Sequence, residues 1–68
     1  MNDDRLAQGF AADIRSARAR LDESQEAFGR RFGVSRRTVQ KWEAGSIPRP
    51  KFRRLLDALF AELGGLAA

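Results

Sequence analysis

The sequence predicts a small all-α domain of four helices. Three observations predict it. Apolar residues recur at helical spacing near both ends of the chain. Between them, Ser24 and Ser35 stand where two short helices would need caps, and Gly33 and Gly45 where they would need stops. With 68 residues and no cysteine, the chain has room for one modest core and no disulfide framework to support anything larger.

The first helix is read from Leu6, Phe10, Ile14, Ala17 and Leu21, one apolar stripe with Arg15, Arg18 and Arg20 around it. Asp3 or Asp4 is the expected N-cap. Gly9 weakens the first turns by up to ~1 kcal/mol relative to alanine, so fraying is expected there. Ser24 caps the second helix, with Glu26 in its first turn at the positive end of the dipole and Ala27, Phe28 and Phe32 facing inward. Gly33 ends it by taking the left-handed conformation that other residues adopt only at a cost. Ser35 caps the third helix, which runs to Glu43 or Ala44 before Gly45 stops it. Ser46 to Pro50 reads as a loop fixed by Pro48 and Pro50. The last helix carries Phe52, Leu55, Leu56, Leu59, Phe60 and Leu63, and Gly64–Gly65 stops it. Residues 1–63 form the expected domain and 64–68 a short flexible tail.

Several function classes drop out on composition. Histidine is absent along with cysteine, which removes the commonest general base, the commonest zinc ligand and every Cys-His or Ser-His-Asp arrangement. Carboxylates and lysines remain, but a helical domain of this size has little room for a cleft. No enzymatic activity, catalytic residue, metal, cofactor or small-molecule ligand is expected. No apolar run approaches the ~18 residues of a membrane span, and the acidic start Met1–Asp4 is unlike a secretory signal. A cytoplasmic protein with no membrane partner is expected, and the arginine- and alanine-rich composition suits a bacterial or phage-encoded one.

Charge is segregated. The net charge is +4, yet residues 30–54 hold nine Lys/Arg against Glu43 alone, while the segments on either side are each net −2. A basic block between acidic flanks is the footprint of a polyanion binder. A solvated basic face is the plainer alternative, and the third helix decides between them. At roughly 100° per residue, Val39 and Trp42 fall on one side with Thr38 and Glu43 at its borders. Arg36, Arg37, Gln40 and Lys41 fall on the opposite side. Val39 and Trp42 are core. The outer four are the residue types that reach base edges, Arg or Lys toward guanine and Gln toward adenine. A helix of this kind, preceded by another helix and a glycine turn, reads as a DNA-recognition helix. Gly29 agrees: a mid-helix glycine costs about 1 kcal/mol relative to alanine and suggests a packing reason. The expected reason is close crossing of helices two and three, where a side chain larger than methyl would hold them apart.

Residues 10–60, about three quarters of the chain, resemble the helix-turn-helix domain of the Cro and phage-repressor (XRE-like) family. The features that match are Ser24-Gln25-Glu26, the small Gly29, Gly33-Val34-Ser35 at the turn, and Trp42-Glu43-Ala44-Gly45 followed by Pro50. The apolar residues at 28, 32, 34, 39 and 42 match as well. The resemblance implies a lambda-repressor-like fold. It implies base reading by Arg36 and Arg37, with Gln40 and Lys41 a turn later. Phosphate contacts are expected from Gln25, Ser35, Arg49 and Lys51. An ion pair between Arg18 and Glu43 is implied, fixing helix one against the recognition helix. Two features depart from the family pattern. Many members carry Gln or Ser where this chain has Arg36–Arg37, which leaves a phosphate grip by one of the two as the alternative. Gly64–Gly65 leaves no room for the common fifth helix.

The expected function is therefore sequence-specific binding of double-stranded DNA, as a small autorepressor on an inverted repeat. A homodimer is expected through Leu59 and Leu63, which lie about 100° from the Leu56–Phe60 line and lack an obvious cover in a monomer. The alternatives are an antitoxin of a toxin–antitoxin pair on the same fold, and a protein-interaction module that has lost DNA binding. The outward basic face of helix three argues against the last.

Overall fold

The computed structural model describes the backbone of residues 2–65 and the side chains of residues 8–65. Among these, four helices follow one another: α1 (Asn2–Leu21), α2 (Gln25–Phe32), α3 (Arg36–Glu43) and α4 (Pro50–Glu62). Two boundaries differ from those expected. Helix α1 begins at Asn2, so its backbone already includes Asp3 and Asp4, whose side chains lie outside the described residues. The helix runs through Gly9, beside the buried Phe10 and Ala11. Pro50 belongs to α4 and not to the loop: its fixed φ suits the first helical position, where its missing N–H would be unpaired anyway. The side chain of Leu6 and the residues beyond Gly65, most of the expected tail, lie outside the described residues.

All four helices end in the same device. The second residue past the end of α1 and α2, and the third past the end of α3 and α4, donates its N–H to a carbonyl five residues back, and the residue before it donates to one three residues back. These pairs are Glu23 to Arg18 and Asp22 to Ala19, Val34 to Gly29 and Gly33 to Arg30, Ser46 to Lys41 and Gly45 to Trp42, and Gly65 to Phe60 and Gly64 to Ala61. The pivot must take positive φ. Glycine does so at three of the four ends, and Asp22 does so after α1 with φ of 55°. Aspartate tolerates this conformation better than most residues, which explains why no glycine marked that end. At the starts, Ser24 and Ser35 accept the N–H groups of Ala27 and Thr38 through their hydroxyls, as expected.

The core takes Phe10, Ile14 and Ala17 from α1, Phe28 from α2, Val39 and Trp42 from α3, and Leu56 and Phe60 from α4. Rings then link the helices that matter for the site. Phe32 meets Trp42 at 6.3 Å between centroids, and Trp42 meets Phe52 at 5.7 Å. Trp42 thus clamps α3 between α2 and α4, with each ring pair contributing about 1 kcal/mol beyond burial. Helix α4 departs from its expected division of labour. Leu59 and Leu63 do have cover in the monomer, since both are half-buried and pack against the core. Leu55, which the spacing places in the same apolar stripe, is 45% exposed. A six-residue stripe is wider than one helix can bury against so small a body, so one edge is left out.

Gly29 is under a tighter constraint than expected, and the obstacle is different. A Cβ there would lie 2.6 Å from the carbonyl oxygen of Val34 and 3.3 Å from that of Ser35. The turn backbone, and not the side chains of α3, occupies the space. Even a methyl group collides.

Candidate nucleic-acid interface

The two faces of α3 separate as its spacing requires. Val39 and Trp42 are buried, Thr38 and Glu43 half-buried, and Arg36, Arg37, Gln40 and Lys41 exposed. Ser35 is exposed at the start of the helix, its Oγ 3.3 Å from the Thr38 hydroxyl and accepting the Thr38 N–H. Arg49 and Lys51 are exposed at the start of α4, where Arg49 occupies the cap position with no side-chain bond and the Lys51 ammonium lies 5.5 Å from the Phe52 ring centre. The structure therefore gathers Ser35, Arg36, Arg37, Gln40 and Lys41 along α3 and sets Arg49 and Lys51 at the head of the next helix.

Gln25 sits apart from these, half-buried at the start of α2. Its side-chain amide donates to Oε1 of Glu43 at 3.2 Å. Glu43 is the polar centre of the domain. Arg18 donates to both of its carboxylate oxygens, Nε to Oε2 at 2.7 Å and Nη2 to Oε1 at 3.1 Å. The two-pronged geometry is the strong form of this pair, and the side chains are 23% and 9% exposed. Arg15 adds a bond from Nη1 to the Glu43 main-chain carbonyl at 2.8 Å, neutralising the negative end of α3. Helix one thus grips the last turn of α3 with two arginines, while the same carboxylate reaches the first turn of α2. Reading the sequence missed Arg15, although it lies three residues before Arg18 and hence on the same face. It also missed the Gln25–Glu43 bond, which no spacing rule would have found.

The basic block is uneven. Arg31 forms a close pair with Glu23, Nε to Oε1 at 2.8 Å, and Arg30 a looser one with Glu26 at 3.4 Å. The hydrogen bond from Arg31 holds the Glu23 carboxyl below its ordinary range. Its stabilising effect is therefore present above the ordinary glutamate range and fades as pH falls through the lowered value. Past these two arginines the cations are Arg36, Arg37, Lys41, Arg49, Lys51, Arg53 and Arg54. None of them forms an ion pair among the described residues. The positive field is accordingly concentrated on α3 and the head of α4, where charge is left for a partner.

Among the described residues no helix is long and apolar enough to cross a membrane. The helix-turn-helix family model matches residues 14–64, three quarters of the chain and all of the geometry above from Ile14 onward. No curated protein and no solved structure matches it. A match of that extent, on a structure with the buried Trp42 face, the glycine turn and the exposed cationic helix, places the chain in the Cro/phage-repressor (XRE-like) family of helix-turn-helix DNA-binding regulators.

Proposed function

We propose that this protein is a small repressor that binds an inverted-repeat operator as a dimer, with α3 in the major groove. The observation that carries the proposal is the outer face of α3: four exposed side chains of base-reading type, on a helix whose opposite face is locked by Trp42, Val39 and the Arg18–Glu43 pair. Arg36 and Arg37 read bases at the start of the helix, and Gln40 and Lys41 one turn later. Arg49 and Lys51 donate to phosphates. Ser35 does so with its hydroxyl proton, and Gln25 with the amide N–H that Glu43 does not take. These contacts supply affinity and register, while α3 discriminates sequence. The two-fold contact is the edge of α4 where Leu55 is exposed, beside Leu59 and Leu63, whose outer surfaces the core leaves only half-buried. Occupation of promoter DNA is sufficient for repression.

Alanine at Arg36 or Arg37 tests the assignment of roles. Loss of a two-pronged guanine contact is expected to cost roughly 1–3 kcal/mol at one base position and to relax preference there. Equal weakening on every sequence would move the tested arginine to a phosphate. For the wild type, a dimer touching about six to ten phosphates should show log K against log salt with a slope near −5 to −9. A nearly flat dependence would reject DNA as the partner of this face.

A further inference from the structure

Helix α4 carries a charge gradient along its length. Its first half holds Lys51, Arg53 and Arg54, and its second half Asp57 and Glu62. Bases near a helix start and an acid at its end both oppose the dipole, so the arrangement does not serve the helix itself. Arg54, Ala58 and Glu62 stand four residues apart in one row, and all three are exposed, as is Leu55 beside them. Among the described residues neither Arg54 nor Glu62 forms an ion pair. Glu62 shares a groove of ≈ 240 Å³ with Arg31, Phe32, Leu55, Ala58 and Leu59, but Arg31 is already held by Glu23 at 2.8 Å. The groove beside the end of α1 also carries both signs of charge. Its two arginines and Glu23 are engaged elsewhere, however, and no large apolar side chain lines it. Only the α4 surface joins free charges of both signs to exposed apolar area.

We infer that a second copy of this chain packs its α4 antiparallel against the first, across a two-fold axis at Ala58, so that Arg54 of each copy meets Glu62 of the other. The inference rests on the dimer reading and adds the register of the contact and the pair of residues that selects it. Charge complementarity fixes the occupant. A two-fold axis presents the same surface twice, so the surface must complement itself. Positions equally far before and after Ala58 then face each other, which sets Arg54 against Glu62 and Glu62 against Arg54. Parallel order would set Arg54 against Arg54. On the axis Ala58 offers only a methyl group, which lets rows spaced by four on the two helices interlock. Leu55 of each copy then covers the groove of the other, and the opposed helix ends bring unlike dipole charges together.

The test compares the wild type, Arg54→Glu and Glu62→Arg by sedimentation equilibrium at low salt, each alone and the two variants mixed in equal amounts. Each variant alone is expected to dimerise roughly tenfold more weakly or worse, because two attractive contacts become two repulsive ones. The mixture should form a heterodimer about as tightly as the wild type dimerises, since both contacts across its interface again join opposite charges. Added salt should narrow these differences. Both substitutions place the charge that each end of α4 favours, so thermal melting close to the wild type is expected and separates lost association from lost folding. If the wild type dimerises and the variants match it, or if the mixture is no tighter than either variant alone, the register is overturned while the dimer stands. A wild type that stays monomeric at every concentration, free and on operator duplex, would mean that the dimer reading fails and the inference with it.

Discussion

Glu43→Ala is expected to cost about 3 kcal/mol of stability. That is the low end of the range for breaking a buried ion pair, since Arg18 keeps some access to water. A chain of this length has roughly 3–10 kcal/mol in total, so the variant should lose between about a third and all of its stability. The loss follows from what Glu43 joins. It takes both prongs of Arg18 and the amide of Gln25, so its removal strands a guanidinium in a site built for a carboxylate. Urea titration of Arg18→Met, Glu43→Leu and the double variant separates the pair from its members. The double variant should recover much of the stability lost in either single change, because apolar residues of similar volume replace the pair without leaving a charge behind. Costs that simply add would show that Glu43 acts through something other than Arg18.

Gly29→Val should cost roughly 3 kcal/mol or more, at the upper end of what overpacking does in a closed site. The added Cβ would overlap the Val34 carbonyl, and the group it meets is backbone with no rotamer to escape into. Any shift also strains the Val34 N–H bond to the Gly29 carbonyl, 3.0 Å long, which closes α2. Because that turn sets the angle between α2 and α3, DNA affinity should fall further than stability explains. Gly29→Ala should fall between, its clash partly offset by about 1 kcal/mol of helix propensity. Thermal unfolding decides the matter: a valine variant that melts with the wild type would mean the turn is not closed on Gly29.

Both residues show what the sequence makes legible and what it hides. The caps of α2 and α3 were readable because Ser24, Ser35, Gly33 and Gly45 act on backbone within a few residues of themselves. The outer face of α3 was readable because an eight-residue helix with two core residues leaves its remaining faces no other place to go. Gly29 was marked as a packing position, but its obstacle depends on how the turn folds back, which no periodicity reports. The end of α1 escaped notice because aspartate, at Asp22, performs the role usually given to glycine. Leu55 and Leu59 were the hardest. Their spacing assigns both to one apolar stripe, and only the rotation of α4 against its neighbours decides which one is left in water. The partners of Arg30 and Arg31 depend in the same way on reach across turns, so the formal charge of the block overstates the charge free to meet DNA.

Selection of bound duplexes from a random double-stranded pool, at a salt concentration where non-specific binding is weak, tests the central claim most directly. The expected result is a recovered motif with two-fold symmetry, its half-sites about one helical turn apart or a multiple of it, so that two copies of α3 enter the major groove on one side of the duplex. The same pool presented to Arg36→Ala or Arg37→Ala should return that motif with one position in each half-site relaxed. Recovery of no sequence, with equal and salt-sensitive binding to every duplex, would contradict sequence-specific recognition by α3.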